Sequence, residues 1–223
     1  MSRRASIGRE RREPRVTERN LGRAVGRLAH ADPDLAAVVE EHGKPPLWAR
    51  EPGFPTLVHV ILEQQVSLAS ARAAFDRLKA ATSPLTPETF LTLDDEKLLE
   101  IGFSRQKADY CRGLARSILS GELDLEALEH ADAEDARDRL LALRGVGPWT
   151  ADIYLLMVLG HRDVWPVGDL ALAKAMRSVK ALDEVPAPEE QERLAEAWRP
   201  WRSVAARLLW HHYLERKANG DDP

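Results

Sequence analysis

The sequence predicts an all-α fold. Three observations carry that reading: richness in Ala, Leu, Arg and Glu, apolar residues recurring at helical spacing, and no stretch with strand-like alternation. At 223 residues, with 44% hydrophobic and 30% charged, the chain can bury a full core as one large domain or two small subdomains. Cys111 is the single cysteine, which excludes an intrachain disulfide and a four-thiolate zinc or iron–sulfur site and leaves helix packing as its role. No apolar run approaches the roughly 18 residues that cross a bilayer, so no membrane association and a cytoplasmic location are expected. The net charge of −4 excludes a protein that coats nucleic acid through bulk positive charge, so any such contact must be local. The first segment is the exception, with seven arginines (Arg3, Arg4, Arg9, Arg11, Arg12, Arg15, Arg19) against three glutamates. Residues 1–19 therefore read as a basic, solvated tail.

After the tail, residues 17–28 have helical spacing, and Asp32-Pro33-Asp34 has the composition of a turn and N-cap opening a short helix to Glu41. The Gly/Pro-rich stretch from His42-Gly43 to Phe54-Pro55 cannot stay helical. The next helix starts near Pro55 and turns Leu57, Val58, Val60, Ile61 and Leu62 inward. It ends at Gln64-Gln65-Val66-Ser67, and a further helix over 68–80 follows with almost no linker, so 64–67 is a tight corner. Thr86-Pro87 and Leu93-Asp94-Asp95-Glu96 open two short helices. Residues 104–119 place Ala108, Cys111, Ala115 and Ile118 on one face with Arg105, Lys107, Arg112 and Arg116 outside, and Gly121 ends that helix. Helices then follow over 133–141, 148–159, 169–179, 188–198 and 202–215. The 148–159 helix is apolar nearly all round, the mark of a central element, so only Trp149, Asp152 and Ile153 near its start are candidates to face a ligand.

The most informative residues are Leu143-Arg144-Gly145-Val146-Gly147-Pro148-Trp149-Thr150-Ala151, with Gly168-Asp169 after the apolar helix. They read as a helix-hairpin-helix feeding one placed carboxylate. Gly145 and Gly147 let the backbone run without a Cβ, and Pro148 presets the first turn of a helix whose initial N–H groups can hold a phosphate. Asp169 admits two compatible readings: the cap of the following helix, or a placed acid. Asp152 and Asp163 are alternative acids ranked below it. His211 and His212 are adjacent and face different directions, with no third ligand at metal spacing, so a zinc site is not expected.

At these residues the chain resembles the helix-hairpin-helix/Gly-Pro-Asp superfamily of DNA glycosylases, in its 3-methyladenine DNA glycosylase II branch. Four further blocks carry the resemblance in family order: Ile61-Leu62-Glu63-Gln64-Gln65-Val66-Ser67, Gly102-Phe103-Ser104-Arg105-Gln106-Lys107-Ala108, Pro166-Val167-Gly168-Asp169-Leu170 and Arg199-Pro200-Trp201-Arg202-Ser203. The resemblance implies two helical subdomains flanking a cleft: 20–80 with 185–217, and 81–184 carrying the hairpin, followed by a flexible tail at 218–223. It implies Asp169 as the catalytic acid, and Trp149, Ile153, Trp210 and His211 as the base pocket. Trp149 stands where strand-nicking relatives carry a Schiff-base lysine, which implies a monofunctional enzyme using water. An indole face also attracts a cationic, alkylated purine.

The resemblance implies that Gln64 and Gln65 form the corner that enters DNA, Gln65 falling where the best-known bacterial relative has an intercalating leucine; the alternative is that their amides close helix ends. Arg144, Gly145, Val146, Gly147 and Thr150 complete the DNA face. The carbonyls of Leu141, Leu143 and Val146 are implied ligands of a Na⁺ or K⁺ ion, and no iron–sulfur cluster or required cofactor is expected. The implied partner is double-stranded DNA with alkylated bases, bound by a nucleoid-associated monomer. Two alternatives stay open: a glycosylase for uracil, mismatches or oxidised bases, and a non-catalytic DNA-binding module, which would need neither Asp169 nor Trp149.

Overall fold

In the computed structural model residues 15–220 are described, and among them thirteen α-helices and no strand occur. In chain order these are α1 (Glu18–Ala31), α2 (Pro33–His42), α3 (Phe54–Glu63), α4 (Leu68–Ala81), α5 (Pro87–Leu91), α6 (Asp95–Ile101) and α7 (Arg105–Leu119). They continue with α8 (Leu125–His130), α9 (Ala133–Leu141), α10 (Pro148–Met157), α11 (Leu170–Val179), α12 (Pro188–Ala195) and α13 (Arg202–Ala218). The fold is all-α, as expected. Side-chain N-caps start many of the helices: Asp32, Ser67, Asp94, Ser104, Asp124, Asp132 and Asp169 each accept a bond from a backbone N–H of the following first turn.

Three details differ from expectation. The six-residue helix α8 was not anticipated; it is too short for a periodic apolar pattern and is marked only by its Asp124 cap and buried Leu128. The helix expected over 188–198 stops at Ala195 and tightens into a 3₁₀ turn at Glu196–Trp198. Residues 15–19 are part of the folded body: Val16 is buried and its N–H donates to the Gly160 carbonyl at 2.7 Å, while Arg15 donates to the Ala131 carbonyl at 2.8 Å. The remainder of the basic segment, 1–14, and 221–223 at the other end lie outside the described residues.

Packing follows two groups. Helix α13 lies against α11, α2 and α1, while α3 and α4 pack with α7 and α6. Helix α3 borders α7 and α10, and α11 borders α13. Helix α10 touches both α3 and its hairpin partner α9, and is buried from Thr150 to Leu156, the central position its apolar sequence demands.

Polar groups inside this core are tied to named partners. Arg207 on α13 is 1% exposed and donates to the carbonyls of Ser203, Leu47 and Leu156 at 2.8–2.9 Å, which fastens α13 to α10 and to the connection before α3. Burial pushes its guanidinium down to about 10. Asp32 caps α2 and also accepts from Lys180 Nζ and Trp198 Nε1 at 2.7 Å. Although burial opposes its charge, those two donors hold the carboxyl below the ordinary range.

Two outcomes follow from this core. Arg207→Met removes the side-chain donor that joins the Leu47 and Leu156 carbonyls to α13 and is expected to lower stability by roughly 3 kcal/mol, read from the urea midpoint. The buried His161 is pushed down to about 4 by burial and then by the Arg15 charge. The unfolded chain takes up that proton near pH 6.5 and the fold only near pH 4, so stability falls as pH drops through this window. A plot of melting temperature against pH from 7 to 5 is expected to be shallower for His161→Phe than for the wild type.

Candidate active site

The hairpin is closed by local geometry. Leu143 N–H donates to Leu140 O and Val146 N–H to Leu143 O, each at 3.1 Å, and Gly145 between them has φ +91°. A Cβ at Gly145 would run into the Tyr110 ring, so both conformation and space require glycine there. Gly147 is different: its φ is −90° and nothing lies within 4 Å of where a Cβ would stand. Its value is as a bare N-cap, for with no capping side chain the first-turn amides of α10 stay open beside Pro148. Arg144 does not line the cleft itself; it pairs with Asp109 at 2.7 Å and lies 5.8 Å from the ring of Tyr110, which does.

The corner after α3 is fastened to that hairpin. Gln64 Nε2 donates to the Gly145 carbonyl and to Thr150 Oγ1, both at 2.9 Å. Lys107 Nζ donates to the carbonyls of Leu62 and Gln64 at 2.7 and 2.8 Å, closing the C-terminal end of α3. Burial holds this ammonium below its ordinary value. Lys107 was expected on the outer face of its helix, and reaches back instead. Gln65 adopts φ +55° and is exposed, with Val66 and Leu68 exposed beside it.

Across the cleft stands Asp169, at the N-cap of α11. Its Oδ1 accepts from Leu172 N–H at 2.9 Å and from Trp210 Nε1 at 3.2 Å, and its Oδ2 from Trp149 Nε1 at 2.9 Å. Three N–H donors thus point at one carboxylate, an arrangement that fixes its direction. The cap and the placed carboxylate are one and the same residue. Gln64, Gln65, Gly145, Val146, Gly147, Trp149, Thr150, Ile153, Asp169 and Trp210 all line a single cleft of about 1670 Å³.

Other expected residues are placed elsewhere. His211 does not line the cleft; its Nε2 lies 3.0 Å from the His42 carbonyl and its ring edges against Trp48 at 6.3 Å. Asp152 is buried on the far side of α10, bonded to Arg137 at 2.7 Å, and burial, opposed by that arginine, raises its carboxyl above the ordinary range. Asp163 is held by Arg199 and Arg202. Cys111 is buried in α7, as expected of a packing residue, and burial pushes its thiol up.

Sequence reasoning missed much of the cleft wall, including Trp48, Lys107, Met157 and Tyr213. Trp48 sits at φ +49° in the connection between α2 and α3, where no periodicity places a side chain. Met157 and Tyr213 belong to helices whose pattern shows them as ordinary core.

The family model described as "HhH-GPD superfamily base excision DNA repair protein" matches residues 58–200, which contain the corner, the hairpin and Asp169. The chain belongs to the HhH-GPD superfamily. A similar relative is the Bacillus subtilis "Putative DNA-3-methyladenine glycosylase YfjP", 32% identical over 184 residues, 79% of this chain and 64% of the relative. The chain thus spans less than two thirds of that relative's length. A second is "DNA-3-methyladenine glycosylase 1" of Schizosaccharomyces pombe, 30% identical with 72% of each chain covered. Among solved structures, the S. pombe 3-methyladenine DNA glycosylase Mag1 in complex with abasic DNA superposes with a TM-score of 0.80 at 28% identity, covering 84% of this chain and 95% of that one.

The two hairpin glycines are expected to respond unequally. Gly145→Ala should cost roughly 2 kcal/mol or more, through positive φ and the Tyr110 clash, while Gly147→Ala should stay within about 0.5 kcal/mol of wild type. Thermal or urea melts of the two variants check this, and equal losses would contradict the geometry.

Proposed function

We propose that this protein is a monofunctional DNA glycosylase that removes alkylated, cationic purines such as 3-methyladenine or 7-methylguanine. The observation that carries the reading is Asp169, held by two indole N–H groups at the floor of a cleft facing the hairpin. The hairpin amides at Gly145 and Gly147 and the open start of α10 suit a phosphate, which positions a duplex without reading its sequence. A base must leave the stack to reach Asp169, and the exposed Gln65 is the side chain placed to fill the gap.

The chemistry needs little else. As the C1′–N bond breaks, its electron pair passes to the base, and a cationic base leaves as a neutral molecule without a general acid. Positive charge grows on the sugar, where the Asp169 carboxylate stabilises it, and water adds to C1′ with loss of a proton. The faces of Trp149, Trp210 and Trp48 supply cation–π attraction for such a base, about 0.5–2 kcal/mol each when desolvated. Lys107, the lysine among the cleft-lining residues, is engaged by two carbonyls, and Trp149 offers no amine. That supports release of a free base without a covalent sugar adduct.

Leu141, Leu143 and Val146 fit the hairpin cation. Three neutral carbonyls suit a monovalent ion better than a hard divalent one, and Leu143 O, accepting one N–H bond from Val146, keeps a second lone pair. When bound, the ion would add positive charge beside a DNA phosphate. A monomer acting on damaged duplex in the cytoplasm or nucleoid accords with this reading, and no helix of the described residues is long and apolar enough to cross a membrane.

The decisive experiment incubates duplexes, each bearing one lesion, with wild type and Asp169→Asn, a change that preserves the helix cap. Release of 7-methylguanine or 3-methyladenine is expected to fall by roughly 100-fold or more in the variant while duplex binding persists. Undiminished release would remove Asp169 from the chemistry. Binding without release from any lesion would make the protein a non-catalytic module, and a borohydride-trapped DNA adduct would overturn the monofunctional assignment.

A further inference from the structure

A second cluster lies behind the cleft wall, where the end of α2 meets the middle of α13. His42 Nε2 and His212 Nδ1 approach to 3.1 Å, across 170 positions of sequence. Glu41 Oε2 lies 3.6 Å from the same His42 nitrogen, and the three donor atoms fall within 4.8 Å of one another. The adjacent pair His211-His212 shows no metal spacing in the sequence because its companions come from another helix. Among the described residues this is the one such grouping of three.

A single hydrogen bond does not account for this arrangement. His42 Nε2 carries at most one hydrogen, yet it faces both the His212 nitrogen and the Glu41 carboxylate. With the His212 proton on Nε2, bonded to Ser178 Oγ at 3.1 Å, its Nδ1 lone pair points at His42. Ser178 also accepts from Arg216 at 2.8 Å, which fixes that outer contact. Metal-bound histidines commonly hold such an outer bond, which orients the ring. A zinc ion about 2.0–2.1 Å from each ligand in tetrahedral geometry separates ligand atoms by roughly 3.3 Å. The observed 3.1 and 3.6 Å bracket that value.

Accessibility suits a bound ion as well. The His42 and His212 rings are nearly enclosed, while the Glu41 side chain is 64% exposed and free to swing onto a cation, leaving a solvent side for water.

We propose that Glu41, His42 and His212 form a binding site for a borderline divalent ion of the zinc type, completed by water, that bolts the end of α2 to α13. The site stands apart from the reading of the cleft, yet touches its wall: the His42 carbonyl contacts His211, whose ring edges against Trp48. Its role is structural, and no reaction step passes through it.

The test uses the full chain stripped with a chelator and titrated with zinc chloride by calorimetry, with cobalt(II) absorption as a second readout. One equivalent of zinc, a raised melting temperature and visible cobalt bands of a tetrahedral complex are expected. Glu41→Gln, an exposed change that spares the fold, should weaken zinc binding at least about tenfold, and His42→Asn should abolish it. Absence of saturable zinc uptake, or uptake of equal affinity in both variants, would overturn the proposal. Glycosylase assays play no part in the outcome, so failure here leaves the function of the cleft untouched.

Discussion

Two indole N–H groups and one backbone amide converge on the Asp169 carboxylate, and the shape of the cleft depends on that convergence. Each donor comes from a different helix: Trp149 from the first turn of α10, Leu172 from α11 and Trp210 from α13. A carboxylate accepts along directed lone pairs, so three donors fix its position only if three helices are themselves fixed. The buried contacts elsewhere do this. Arg207 fastens α13 to α10 through the Leu156 carbonyl, and Asp32 draws Lys180, at the end of α11, and Trp198 to the start of α2. Neither contact lies in the cleft, and both set its dimensions.

Under the proposed function, grip and chemistry fall to different kinds of atom. The hairpin presents backbone: a glycine forced by φ and by Tyr110, a second glycine serving as a bare cap, and an uncapped helix start. The opposite wall presents side chains, a carboxylate among aromatic rings. An acidic protein can hold an anionic polymer in this way because oriented amides supply local positive potential without net charge.

The sequence was most legible where local rules suffice. Gly145-Val146-Gly147-Pro148 and Asp169 are turn and cap residues whose conformational demands are written at their own positions, and the largely apolar 148–159 stretch announced a central helix. Legibility failed where a side chain's role depends on what lies across the fold. Lys107 has the spacing of a solvated residue and turns inward to the end of α3, and Trp48 sits in a connection without periodicity. His211 was drawn toward the cleft by its neighbour Trp210, yet a helix sends adjacent residues about 100° apart, and it faces His42 and Trp48 instead. The two glycines looked equivalent as letters and are not, since only one has a ring against it.

Gln64 joins the corner to the hairpin through a single amide that reaches both the Gly145 carbonyl and Thr150. With Lys107 closing the helix end behind it, the corner and the hairpin are tied together by side-chain hydrogen bonds. Surfaces fastened in this way resist being pushed apart. Under the proposed function, the work of bringing a base into the cleft is then done by bending and unstacking the nucleic acid, so the protein would sample most readily those positions where the double helix is already weak.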